Sequence, residues 1–185
     1  MTPGAGRRGA GTSNIYDTWH RVNSQTDALL KVTGFDYQGS TTTVTDPRGI
    51  ATERVFTNNL PTQVTVAKGT PEQTVKHVEY TKGLPTKVID ENGHNWLYHY
   101  DADGNRDSAT DPLGRVTASS YDGNHQLLSR TLPSGFATTH TYDTAGNLKT
   151  TTRMFTQAQP ETTTYGYDTS GFGELVSRSD QLGHG

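Results

Sequence analysis

The sequence predicts an all-β chain of consecutive antiparallel β-hairpins, laid side by side into a curved or spiral sheet. Three observations predict it. Tyr100, Tyr121 and Tyr142 stand 21 residues apart, and a fixed period of this length marks a repeat architecture. Turn signals built from Asp and Gly recur between them. Only 30% of the 185 residues are AVILMFWYC, well below the globular average. That suits a thin sheet that borrows burial from neighbouring sequence better than a compact sandwich. Disorder would explain the low hydrophobicity but not nine tyrosines placed in register, because disordered chains are poor in aromatics.

Taken in order, residues 1–14 carry Gly4, Gly6, Gly9, Gly11 and the Arg7-Arg8 pair without any period. They are expected to form a flexible leader. The array is expected over residues 15–185, about eight hairpins cut short at the C-terminal end. Tyr16-Asp17 opens it, with Trp19 where a small turn residue would be expected. The segment from Val22 to Leu30 has little pattern, and Ala28-Leu29-Leu30-Lys31-Val32 reads as a strand ending at Gly34.

From Phe35 onward the rhythm is regular. Thr41 to Thr45 is a Thr-rich strand running into Asp46-Pro47-Arg48-Gly49. In this turn, and in Asp111-Pro112-Leu113-Gly114, the Asp side chain can accept from amides ahead of it. Proline pre-sets φ at the next position, and glycine closes the turn. Asp143-Thr144-Ala145-Gly146 and Asp168-Thr169-Ser170-Gly171 repeat the pattern without proline. Gly49, Gly93, Gly114 and Gly135 are each followed by seven residues ending in Phe56, Tyr100, Tyr121 and Tyr142.

Side chains on a strand share a face at every second residue. Ile50, Thr52, Arg54 and Phe56 therefore fall together. So do His94, Trp96, Tyr98 and Tyr100, and likewise Phe136, Thr138, His140 and Tyr142. The prediction is an aromatic ladder along one face, stabilised by cross-strand pairs of roughly 0.2–1 kcal/mol each. The wording Leu60-Pro61-Thr62 returns as Leu84-Pro85-Thr86. Small insertions are expected at hairpin tips, over residues 70–74 and 157–161, where they disturb no ladder.

The net charge of −3 is scattered, with no basic face of the kind nucleic acid requires. There is no cysteine, so disulfides and thiolate metal sites are excluded. No apolar run reaches the roughly 18 residues of a membrane span, and no signal-peptide pattern is visible. Asp101, Asp103, Asn105 and Asp107 alternate like the start of a calcium loop. An EF-hand needs Gly at position 6 and Glu at 12, whereas Gly104 stands at 4 and Pro112 at 12, so a hairpin turn is the better reading. His94 and His99 have opposite parity and cannot chelate together on a regular strand. No catalytic, cofactor-binding or metal residue is assigned, and no cofactor is expected. The Tyr/Trp/His ladder could stack on sugar or serve as structure alone.

Tyr-Asp pairs at 16–17, 100–101, 121–122, 142–143 and 167–168, interleaved with Thr-Asp-Pro-x-Gly turns, closely resemble the RHS/YD-repeat family over about residues 16–185. The family includes bacterial polymorphic toxins, insecticidal toxin-complex subunits and teneurins. The resemblance implies a spiral β-sheet that forms part of a hollow shell, in bacterial members a cage around a C-terminal toxin. It implies a non-catalytic structural segment whose partners are the rest of the shell and the toxin cargo. It also implies export by a dedicated secretion apparatus, or display at the cell surface, after a cytoplasmic stage. Bacterial shells carry clustered Asp-Pro-x-Gly motifs that support autoproteolysis. Here Asp46-Pro47 and Asp111-Pro112 each sit in an ordinary repeat, so that activity is not carried over. The alternative is a surface adhesion or carbohydrate-binding module.

Overall fold

The structure, a computed structural model, describes residues 11–154, 160–168 and 173–180. Residues 1–10 of the leader expected over 1–14, residues 157–159 of the second insertion, and the turn residues 169–171 lie outside these. Every described element is a strand, and among the described residues no helix is long and apolar enough to cross a membrane.

The chain divides between His94 and Asn95 into two units. The first holds β1 (Ser13–Tyr16), β2 (Val22–Thr26), β3 (Val32–Gln38), β4 (Thr41–Thr45), β5 (Ala51–Thr57), β6 (Leu60–Val66), β7 (Thr74–Thr81) and β8 (Leu84–Ile89). Each pairs antiparallel with the next. The second holds β9 (Asn95–His99), β10 (Ser108–Thr110), β11 (Val116–Tyr121), β12 (Leu127–Thr131), β13 (Ala137–Tyr142), β14 (Leu148–Met154), β15 (Glu161–Tyr167) and β16 (Leu175–Ser179). Its pairing follows the same meander.

The Asp turns form as their chemistry dictates. Asp111 N–H donates to the Arg115 carbonyl at 3.0 Å, and Gly114 N–H returns to the Asp111 carbonyl at 2.9 Å. Asp111 Oδ1 accepts from the amides of Leu113 and Arg115 at 2.9 and 3.0 Å. Gly114 sits at φ 78°, the left-handed position that ends a type I turn in a three-residue hairpin loop. Asp17, Asp27, Asp46, Asp90, Asp101, Asp122 and Asp143 repeat the two amide contacts. The turn at 132–135 keeps the backbone bonds with Leu132 in the Asp place. Three tighter connections join β3 to β4, β5 to β6 and β7 to β8. Asn58 and Asn59 (φ 51° and 62°) and Lys82 and Gly83 (φ 52° and 82°) have the positive-φ pairs of type I′ turns.

Two expectations need correction. The strand expected from residue 28 starts only at Val32, as β3, and residues 28–31 are a turn between β2 and β3. Asp27 Oδ1 accepts from the Leu29 and Lys31 amides, and Leu30, at φ 62°, stands where most of the turns place glycine and those of Asp17 and Asp122 place His20 and His125. An apolar residue in a glycine position hid the turn. The array also starts earlier than residue 15, because Ser13 and Asn14 already pair with Thr26 and Gln25. The first insertion is a loop over residues 67–73, with Thr74 inside β7.

The register contains a feature absent from the sequence reading. In six hairpins a β-bulge falls immediately before the terminal aromatic: Tyr16, Phe56, Tyr80, Tyr121, Tyr142 and Tyr167. The extra residue lies on the returning strand, so the parity of the aromatic strand is kept. At two bulges this residue is the Thr of Leu-Pro-Thr. Thr62 Oγ1 donates to the Val55 carbonyl and Thr86 Oγ1 to that of Glu79, at 3.3 and 3.4 Å. The preceding proline has no N–H to lose there.

Buried residues are few. Among the described residues Thr65, Ala67 and Thr151 are buried, and no side chain is fully enclosed.

Candidate functional site

Register puts the predicted ladder on one face within each unit. In the first, Tyr37 pairs with Thr42, Thr42 with Arg54, Arg54 with Val64 and Val64 with Lys76. Tyr37, Phe56 and Tyr80 therefore look the same way. In the second, Tyr98 pairs with Ala109, Ala109 with Thr117 and Ser119 with Arg130. Trp96, Tyr98 and Tyr121 thus share a face, as expected. His94 and Tyr100 lie just beyond the ends of β9.

The ladder is tied by tyrosine hydroxyls. Tyr142 Oη donates to the Leu127 carbonyl at 2.9 Å, and Leu127 is the residue paired with Tyr121 across its bulge. Tyr37 reaches Val22, which pairs with Tyr16, at 3.0 Å. Tyr80 reaches Pro61, which pairs with Phe56, at 3.1 Å. Tyr121 reaches Arg106 at 3.3 Å. At the bulges of Tyr16, Phe56 and Tyr121 the returning strand presents a carbonyl, and the next hairpin's tyrosine takes it. The sequence signal that could have shown this is Tyr rather than Phe at the strand end, together with the constant spacing.

The opposite face of the second unit is hydroxylic. Ser120, Ser129, Thr139, Thr152 and Thr162 face one another in series across β11 to β15. Ser120 Oγ meets Ser129 Oγ at 2.6 Å and Thr152 Oγ1 meets Thr162 Oγ1 at 2.9 Å.

On the aromatic face of the second unit lies a groove of about 310 Å³. Trp96, Tyr98 and Tyr121 form its aromatic walls, and Ala109, Thr117 and Ser119 line it where larger side chains would fill it. Burial along β11 alternates, with Thr117, Ser119 and Tyr121 on the covered side. Arg106 and Arg130 complete the lining, which contains no carboxylate. The Arg106 guanidinium carbon lies 5.3 Å from the centre of the Tyr98 ring, within cation–π range. Neither guanidinium forms an ion pair among the described residues. Arg21 in the first unit gives the contrast. It lies over Tyr37 and Trp19 at 4.3 and 5.0 Å, and its Nε donates to Asp17 Oδ2 at 2.8 Å.

The residues singled out for metal binding are dispersed. Asp101 accepts the amides of its turn and the Asn105 side chain, which also meets His125 Nδ1 at 2.7 Å. Asp107 meets His99 Nδ1 at 2.7 Å and Asp90 meets His94 Nδ1 at 3.1 Å. His94 and His99 thus each have their own carboxylate. No group of three or more His, Asp or Glu side chains gathers to hold a metal among the described residues. The Asn105 amide donating to Asp101, ahead of the opposing desolvation and with the turn amides behind it, holds that carboxyl below its ordinary value. At Asp46 the Arg48 guanidinium does so first, and the Ile50 amide follows.

The class this geometry defines is a hairpin-repeat β-sheet whose recurring side chains join one hairpin to the next. The sequence profile described as RHS Repeat matches residues 81–120 and 121–155, so this stretch carries RHS repeats, the family that the Tyr-Asp pairs resemble. No curated protein matches it. Among solved structures it is similar to a chain of the Photorhabdus luminescens Tc holotoxin pore with a mutated TccC3, at 17% identity and a TM-score of 0.71 over 84% of its length. It is also similar to TcdB2-TccC3 without the hypervariable C-terminal region, at 17% identity and a TM-score of 0.73 over 85% of its length. The chain spans 9% of each of those chains. At this identity the likeness establishes the fold.

Proposed function

We propose that the chain is a non-catalytic wall segment of a shell of RHS repeats that encloses a toxin for delivery to a competing or host cell. The observation that carries this reading is where the repeated residues go. Asp closes most of the turns, Thr fills two bulges, and Tyr reaches back to the preceding hairpin's bulge carbonyl. Side chains that recur with the period are consumed in building sheet, which is the task of a wall. The RHS repeats and the fold shared with Tc toxin chains support it. The partners are then the remaining shell and a polypeptide cargo. The assembly leaves the cell through a dedicated secretion apparatus, or is displayed on its surface, after a cytoplasmic stage.

The test is protease protection in the longer polypeptide that contains this chain and its flanking sequence. The C-terminal cargo should resist digestion until denaturant opens the shell. Digestion at the rate of the free cargo would overturn the reading. Saturable binding of the chain to arrayed glycans, without protection, would favour the adhesion module instead.

A further inference from the structure

We propose that the groove over β9 to β12 binds an acidic peptide segment of the enclosed polypeptide, its carboxylates pairing with Arg106 and Arg130 and an adjacent aromatic or aliphatic side chain entering beside Trp96 and Tyr121. The identity of the occupant rests on the shell reading; the chemistry of the groove does not.

Charge is the first argument. The chain is net negative, yet the groove is lined by two arginines and no carboxylate. A planar guanidinium pairs with a carboxylate through two parallel bonds, which gives geometric selectivity as well as attraction. The chain supplies its own precedent at Arg21, which rests on two aromatic rings and holds Asp17 in reach. Arg106 has the ring of Tyr98 beneath it without the carboxylate. An acidic side chain from outside would complete the arrangement.

Shape is the second. Tyr98, Ala109 and Thr117 are cross-strand neighbours in series, so a large residue is followed by two small ones and the face is hollowed there. Aromatic surface beside convergent polar groups is what a cleft for a polar ligand needs. The aromatic walls offer stacking surface, and Trp96 is 38% exposed.

The test uses the whole chain with Trp19→Phe, which leaves Trp96 as the remaining tryptophan reporter. A capped Asp-Phe-Asp-Phe-Asp peptide is titrated while indole emission is followed, with Asn-Phe-Asn-Phe-Asn as the neutral control. Saturable binding of the acidic peptide is expected, at least tenfold weaker for the neutral one and weaker as salt is raised. Arg106→Gln with Arg130→Gln should reduce affinity tenfold or more. Should that variant lose its far-ultraviolet dichroism, Arg106→Lys with Arg130→Lys, which keeps the charge but not the bidentate fork, should still weaken acidic-peptide binding, and the salt series carries the same decision. Equal binding of both peptides, undiminished binding by the arginine variants, or a glucuronate oligosaccharide binding as tightly as the acidic peptide would overturn the proposal. Loss of peptide binding with cargo protection intact would sink the groove alone. Peptide binding without protection would remove the enclosed chain as its occupant.

Discussion

Asp111 shows how much one side chain does in this sheet. Its carboxylate takes two turn amides and the Arg115 guanidinium, whose Nε lies 2.6 Å away. Desolvation pulls its pKa up, but the Arg115 amide and guanidinium and the Leu113 amide outweigh that and hold it below the ordinary value. Asp17, Asp46, Asp90, Asp101 and Asp143 are lowered too. A carboxylate whose pKa is lower folded than unfolded stabilises the fold above about pH 4, and that stability is lost as pH falls through the folded value. His140 adds a second limb. Burial lowers its pKa, so below about pH 6.5 the unfolded chain takes the proton first and stability falls. Melting temperature should therefore decline gently from near pH 6.5 and steeply below about pH 4. His140→Gln should remove the first limb and leave the second. Asp111→Ala should lower Tm by a few degrees at neutral pH, and Asp111→Asn by less, since an amide oxygen can still accept the turn amides. An unchanged Tm in Asp111→Ala would contradict the role given to the turn carboxylate.

The hairpin is the element that repeats, and two of its parts can be tested separately. Tyr142→Phe removes the hydroxyl donated to the Leu127 carbonyl and should cost about 1 kcal/mol, read from chemical denaturation. Tyr121→Phe breaks a longer bond of 3.3 Å to Arg106 and should cost less. Phe56 already stands at an equivalent strand end without a hydroxyl. Leu30 offers the opposite sign. It is 82% exposed and sits at φ 62°, a conformation costly for any residue with a Cβ. Leu30→Gly should raise stability by about 1 kcal/mol, whereas Gly114→Ala, at φ 78°, should lower it.

At the scale of the whole molecule, the described residues hold almost no buried core, and cohesion comes from strand pairing, turn caps and hydroxyl contacts. At one margin of the first unit β1 pairs with β2, and at one margin of the second β16 pairs with β15. Both carry exposed apolar side chains: Ile15 at 64% and Val176 at 63%. Unpaired strand edges with such residues template association. The isolated chain should self-associate as its concentration rises, and Ile15→Lys with Val176→Lys should shift it toward monomer in light scattering. A sharp thermal transition of a monomer at high concentration would contradict this.

The amino-acid order by itself determined the hairpin array, because its signals are local. A carboxylate two and four residues from the amides it accepts, and a glycine where φ must be positive, need no distant partner. Parity along each strand likewise foretold that Trp96, Tyr98 and Tyr121 share a face. Only the tertiary structure decided what depends on register between strands. The bulges before six of the aromatics, the tyrosine hydroxyl carried back to the preceding hairpin, and the meeting of Arg106 and Arg130 in one groove all join residues 15 or more positions apart, or on neighbouring strands. The Leu30 turn too was decided by the fold, since backbone hydrogen bonding there overrode the preference of the side chain.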